Sequence, residues 1–219
     1  VACLIVAVKS SKNAVMKTRV RILAALQLLG ILGQGVLGGI TVLTDLHPIP
    51  VAGHFLLSIF LIAGALSLRF EMIGISREKA EGLIAALIPI LLWLTLIVLI
   101  IGTVVTGSGP HAGDENAKRF GLDPKSVSWL HADFVIALLV LSTILWLLIK
   151  QSGSAILTRK IQIFLLVAFA QGGIGYIQYL TGLPEIIVGA HLLGATLVWG
   201  SAWSLIKHSG SSFRLRKVS

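Results

Sequence analysis

Six runs of twenty or more predominantly apolar residues follow one another along this chain, at roughly 21–44, 50–69, 83–106, 129–149, 161–181 and 185–206. A helix needs about 20 such residues to cross the hydrocarbon core of a bilayer. Backbone groups in lipid must pair internally, so only helices and closed barrels can span it. The runs are too long for barrel strands and lack their alternation. The expected class is therefore an all-α integral membrane protein with six full transmembrane helices. A chain of 219 residues that is 56% hydrophobic and 12% charged is not an ordinary soluble domain. Residues 1–8 are apolar but too short to span, and they have neither an initiating Met nor the charged front of a signal peptide. They read as a helix remnant, so the chain as given is expected to lack an N-terminal part; a short interfacial anchor is the alternative.

The net charge of +9 raises nucleic acid as a partner, but its placement excludes that reading. Lys9, Lys12, Lys17, Arg19, Arg21, Arg69, Arg77, Lys79, Lys150, Arg159, Lys160, Lys207, Arg214, Arg216 and Lys217 all fall on one side of a six-span zigzag. Only Lys118, Arg119 and Lys125 fall on the other. This is the positive-inside pattern, and it puts the C-terminus in the cytoplasm. The basic surplus is a matter of topology, with some attraction to anionic membrane lipid. The single cysteine, Cys3, has no partner for a disulfide and reads as a small buried hydrophobe.

An internal repeat sets the organisation. From Gln34 the chain reads QGVLGGITVLTDLHPIPVAGHFLL, and from Gln171 it reads QGGIGYIQYLTGLPEIIVGAHLLG. The two align without a gap, so that Gln34 answers to Gln171 and His54 to His191 at one constant offset. Spans one and two thus correspond to spans five and six, out to Ala65-Leu-Ser-Leu against Ala202-Trp-Ser-Leu. Spans three and four then open the second of two four-helix units. On this scheme 1–82 is the remainder of the N-terminal half and 83–219 is the C-terminal four-helix half. His131 stands farther ahead of Gln171 than Val1 stands ahead of Gln34, so its counterpart is expected just before Val1.

Three histidines, His54, His131 and His191, lie in apolar stretches one or two turns inside the outer face. An ionisable group inside a span is a functional hypothesis by default, because its burial is costly. Neutral imidazole is a good axial ligand for haem iron, and helix bundles place such ligands on facing helices. His131 and His191 belong to one four-helix unit and suit one iron; His54 would pair with the missing histidine. A lone histidine is as well explained by a hydrogen bond to a neighbouring helix, but a duplicated one with a third at matching depth favours ligation.

Gln34, Gly38 and Thr41 share a helical face that Gln171, Gly175 and Gln178 repeat. The glutamine amides suit a bond to a neighbouring helix or a contact to a macrocycle, and small residues at this spacing favour packing. His47 and His111 fall in outer loops, as do Asp45, Asp114 and Glu185. His208 falls beyond the last span and reads as solvated. Asp133 is the one acid near the histidine layer; it suits a basic partner or the positive end of its helix dipole. The glycines of QGVLGG lie inside a span and follow no strand, so a nucleotide site is excluded. Zinc spacings and a serine triad are also absent from the sequence.

At these residues the chain resembles the haem A synthase family of bacterial and mitochondrial membranes. The resemblance covers essentially the whole chain and rests on QGVLGGITVLTDLHP with VAGHFLLS, VVTGSGPHAGD with FGLD, the Trp129-Leu-His131-Ala-Asp segment, and GAHLLGATLVW. It implies eight transmembrane helices in two similar four-helix halves. It implies that His131 and His191 hold a haem b cofactor, and that His54 serves the half that receives haem O as substrate. The implied reaction oxidises a methyl group of haem O to a formyl group, making haem A for cytochrome oxidase, with haem O synthase upstream and an unidentified electron acceptor. The family's second helix carries a Glu-x-x-His element that this chain does not contain. The catalytic Glu is therefore expected upstream of Val1, and the chain as given is expected to be inactive. The implied location is the bacterial plasma membrane.

Two other readings compete. A bis-histidine b-type cytochrome that only passes electrons would need no second porphyrin site near His54. A transporter would suit the duplicated spans, but the broken helices common at transport sites are not evident.

Overall fold

Proline and small polar caps decide where the helices begin, and they begin outside the most apolar residues. The computed structural model describes residues 14–109 and 117–210, with side chains from Thr18 on. Its helices are α1 (Ala14–Leu43), α2 (Pro48–Ile73), α3 (Gly82–Ser108), α4 (Pro124–Gln151), α5 (Ala155–Leu180) and α6 (Glu185–His208). All six are long and apolar enough to cross a membrane, and no strand occurs among the described residues. The 1–8 segment, Cys3, His111 and Asp114 lie outside them.

Helix α4 starts ahead of the span expected at 129, because Asp123 caps it and Pro124 opens its first turn. Ser154 likewise starts α5 ahead of 161 by accepting a hydrogen bond from the Leu157 amide at 3.1 Å. Helix α1 begins at Ala14, within the basic segment placed ahead of the first span. Hydropathy registers the hydrocarbon core; caps act in the polar interface, and the helices run out to them.

The repeat is visible in the backbone. Leu46 and Leu183, equivalent by sequence, both adopt positive φ (55° and 64°). The Leu46 amide donates to the Thr41 carbonyl at 3.0 Å, and the Leu183 amide to the equivalent Gln178 carbonyl at 3.0 Å. These six-to-one bonds end α1 and α5 in the same left-handed way. The preceding position also has positive φ in both turns, 51° at Asp45 and 75° at Gly182.

Helices α1–α2, α3–α4 and α5–α6 form hairpins. Helices α3 to α6 pack in sequence, and α3 also meets α6, which closes a four-helix ring. Helices α4 and α6 are therefore diagonal partners. Helix α2 packs outside the ring against α3 and α6, and α1 packs chiefly on α2. The expected boundary near 82 separates the α1–α2 hairpin from the ring, but Ile59 and Ala63 of α2 share a continuous core with ring residues such as Leu91, Leu145, Ile161 and Leu205. Two indoles tie that contact: Trp199 Nε1 donates to the Ile59 carbonyl at 2.7 Å, and Trp203 Nε1 to Ser67 Oγ at 2.9 Å.

The filled core occupies only part of the ring's length. Buried positions of α4 begin at Leu138, those of α5 end at Ala168, and those of α6 begin at Gly194. They cluster toward the end that holds the 74–81 and 152–154 connections and the end of α6, hereafter the basic end. The opposite ends of α4, α5 and α6 contain no buried residue.

Asp45 is exposed and carries a left-handed backbone where its counterpart is glycine. Asp45→Gly is expected to relieve that strain and stabilise the α1–α2 hairpin by up to about 1 kcal/mol. Slower hydrogen exchange at the Leu46 amide would register it; unchanged or faster exchange would count against the strain.

Candidate functional site

His54, His131 and His191 are the seventh, eighth and seventh residues of α2, α4 and α6. At about 1.5 Å per residue each lies roughly 10 Å inside its helix start, so all three share one depth. His131 and His191 occupy the diagonal helices of the ring, near enough for their charges to interact. They are half-buried and stand just past the last buried positions of α4 and α6, at an end where Gly107 and Ser108 of α3 are buried.

Each ring sits on a glycine of its hairpin partner. A methyl group at Gly38 would lie 3.6 Å from His54 Cε1; at Gly102, 3.3 Å from His131 Cε1; and at Gly175, 2.9 Å from His191 Cε1. These glycines fall in the penultimate turns of α1, α3 and α5. Nδ1 of all three rings is buried against the partner helix without a hydrogen bond. His131 also faces the carbonyl of Val98, one turn before Gly102, at a geometry short of a hydrogen bond. A ligating histidine ordinarily gives its second ring nitrogen to a carbonyl or carboxylate, and His131 is the ring with a carbonyl, that of Val98, beside it. His131 and His191, imidazoles on diagonal helices, are the side chains that could hold a haem iron.

The glutamines act on the histidines through the backbone. Gln34 Nε2 donates to the His54 carbonyl at 3.1 Å and to Ser58 Oγ at 2.6 Å. Gln171 Nε2 donates to the His191 carbonyl at 2.7 Å. The same bond is thus made twice, between equivalent partners, and it pins hairpin register at the histidine. Of the two roles open to these amides, the structure displays the bond to a neighbouring helix; Oε1 of each is buried and unpartnered. The Gln171 amide also packs directly on Gly194.

Several polar residues stand elsewhere than expected. His208 is not solvated: it is the last residue of α6, 7% exposed, with its ring 5.4 Å from that of Phe70 and Nδ1 2.7 Å from the Ser204 carbonyl. The helix runs farther than its apolar stretch and folds the ring back under the 74–81 connection. Asp133 is exposed and makes no ion pair among the described residues. It lies in the third turn of α4, so the helix start belongs to Asp123 instead. His47 caps α2, its Nδ1 accepting from the Ile49 amide at 3.3 Å. Glu185 opens the first turn of α6. Gly102 and Ser58 were not singled out by the sequence; a glycine after an unbroken Ile-, Leu- and Val-rich run was the available signal for Gly102.

Among the described residues no three His, Cys, Asp or Glu side chains converge on one point. Two grooves lie away from the histidines: one of about 300 Å³ lined by Leu139, Val140, Thr143, Ile144 and Phe169, and one of about 390 Å³ at the basic end.

Comparison with family models, curated proteins and solved structures returned no match. Fold and site therefore define a class: an all-helical protein whose six helices are long and apolar enough to cross a membrane. Its particular mark is a histidine-on-glycine seat built three times at one depth.

The three seats differ in tightness, which gives a graded expectation. Gly175→Ala forces the His191 ring to move and is expected to cost about 1–3 kcal/mol, as overpacking does. Gly102→Ala should cost less, and Gly38→Ala should be neutral or slightly stabilising through helix propensity. Thermal unfolding in detergent gives the order; equal losses at all three positions would contradict it.

Asp123 supplies a pH dependence. The Ser126 hydroxyl, then the Ser126 amide at 2.9 Å, hold its carboxyl below the ordinary value of 3.8. A lowered folded value means the cap is at full strength above the ordinary carboxylate range and fades as pH falls through the folded value. The protection factor of the Ser126 amide, its exchange corrected for the intrinsic pH dependence, is expected to fall on acidification in this protein. In Asp123→Asn, which caps without titrating, that loss of protection should disappear.

Proposed function

We propose that this protein is an oxidoreductase of haem biosynthesis, of the haem A synthase type, converting the methyl group of haem O to the formyl group of haem A. The observation that carries the reading is the pair His131 and His191, at equal depth on diagonal helices of a closed four-helix ring, each seated on a glycine beyond the filled core. In this reading they hold a haem b, which supplies electron transfer when bound. His54, in an equivalent seat on the α1–α2 hairpin, serves haem O. Gln34 and Gln171 fix the helix segments from which His54 and His191 project. Gly38, Gly102 and Gly175 leave space for the rings to lie flat against the partner helix. In this reading an apolar porphyrin enters between helices from the lipid, with its propionates toward the polar connections. The basic end then faces the cytoplasm of a bacterial cell, by the charge asymmetry.

The test is spectroscopic and enzymatic, on the complete protein purified from membranes. The parent is expected to show the spectrum of a low-spin bis-histidine haem b. His131→Ala and His191→Ala should each lose that spectrum. His54→Ala should keep it but fail to convert haem O. A normal bis-histidine spectrum in both ring variants would refute the ligand assignment. Haem b without any conversion of haem O by the parent would leave the electron-carrying cytochrome as the better reading.

A further inference from the structure

The basic end holds a groove that the histidine site does not use. Its volume is about 390 Å³, and its lining is Ile75, Ser76, Ile156, Arg159, Lys160, Ile163 and His208. Three elements build it: the connection after α2, the start of α5 and the end of α6. Backbone bonds lace them together, from the Glu78 amide to the His208 carbonyl at 2.9 Å and from the Ala80 amide to the Ser209 carbonyl at 2.9 Å. Ser154, which caps α5, also donates to the Glu78 carboxylate. The groove is therefore a fixed feature of the fold.

Its charges are one-sided. Arg159 and Arg69 lie within Coulomb range of Lys160, and Arg77 and Lys160 within range of His208. The acids nearby are engaged: Glu71 pairs with Arg19 at 3.4 Å and Arg77 at 3.5 Å, Glu81 pairs with Lys79 at 3.5 Å, and Glu78 holds Ser154. Among the described residues no carboxylate lies within ion-pair distance of Arg69, Arg159 or Lys160. The apolar part of the groove follows one face of α5, since Ile156, Arg159, Lys160 and Ile163 are spaced at three, four and seven positions. Ile163, 41% exposed, lies one turn farther along the span than the cations. The groove thus passes from a cationic mouth to an apolar wall.

We propose that this groove binds an anionic glycerophospholipid of the adjoining leaflet, with the phosphate at Arg159 and Lys160 and an acyl chain along Ile156 and Ile163. Charge complementarity selects this occupant. The chain's own segment after Gly210 contains Arg214, Arg216 and Lys217 and no acidic side chain, so it does not complement the groove. A free inorganic anion would meet the cations but leave the isoleucine wall unused.

Lipid retention tests this. The complete protein is reconstituted in phosphatidylcholine vesicles containing one part in ten phosphatidylglycerol, re-extracted in mild detergent, and its co-purifying lipid quantified. Phosphatidylglycerol is expected to be enriched over its bulk share, and the enrichment should fall about fivefold for each cation removed in Arg159→Gln and Lys160→Gln. Lys79→Gln, which removes a charge outside the groove, should leave it unchanged. The charge-keeping Lys160→Arg variant should retain enrichment, and unfolding in pure phosphatidylcholine checks that each variant is folded. Should Arg159→Gln misfold, Lys160→Gln alone serves. Undiminished enrichment in the folded neutralised variants, or its loss in Lys79→Gln to the same degree, would overturn the proposal. So would displacement of phosphatidylglycerol by millimolar inorganic phosphate at constant ionic strength, which would mark a simple anion site. Greater enrichment after removal of 211–219, with no dependence on Arg159 or Lys160, would assign the groove to the tail and also overturn it.

Discussion

Hydrocarbon offers no hydrogen bonds, so each polar group on these helices must find its partner on a helix. Most of the structure follows from how that demand is met. Thr95 and Ser142, both fully buried, bond back to the Leu91 carbonyl at 2.7 Å and the Leu139 carbonyl at 3.0 Å within their own helices. The longer side chains reach across instead. Trp199 and Trp203 join α6 to α2, Gln27 joins α1 to the Leu61 carbonyl at 3.1 Å, and Gln34 and Gln171 join each hairpin at its histidine. These bonds act where the hydrophobic effect cannot, because lipid tails are as apolar as the leucines they touch. They select which helix faces meet, and van der Waals packing of the glycine and isoleucine surfaces follows.

Against that background the unpartnered atoms are informative. Nδ1 of His54, His131 and His191 is left buried without a hydrogen bond, and all three sit in the same kind of seat. A buried imidazole nitrogen in apolar surroundings is destabilising unless a hydrogen bond or ligand satisfies it. The seat trades a side chain for close approach: glycine gives up helix propensity, and the ring gains contact with the partner backbone. Doing so three times at one depth, outside the filled core, is difficult to ascribe to packing alone. The same logic at the other end, with cations lacking carboxylates beside an apolar wall, motivates the lipid groove.

The repeat links sequence to architecture most directly. Equivalent residues end α1 and α5 with the same left-handed turn, and equivalent glutamines bond to equivalent histidine carbonyls. Yet the two copies sit in different surroundings. The α5–α6 hairpin is half of a closed ring, whereas α1 has α2 as its chief neighbour and exposes Leu29, Leu32 and Val36. Local geometry is thus shared between the copies, and the enclosure around it is not.

The sequence by itself determined the six helices, their order, the duplicated turn and the common depth of His54, His131 and His191. Each depends on local pattern: apolar length, proline and cap positions, and the unbroken offset that carries Gln34 onto Gln171 and His54 onto His191. It also marked Gly38 and Gly175 as repeated positions on the glutamine face, and the structure seats His54 and His191 on them. Only the tertiary structure decided that Gly102 seats His131, because the long 109–123 connection breaks the spacing that makes Gly38 and Gly175 visible. It likewise decided that His208 is buried under the 74–81 connection, that Asp133 has no ion-pair partner among the described residues, and that Asp123 starts α4. Those outcomes depend on which helix faces another, and hydropathy is blind to that choice: an isoleucine facing lipid and one facing a neighbouring helix read alike. The diagonal placement of His131 and His191 belongs to the same class, since it arises when α3 meets α6 and closes the ring.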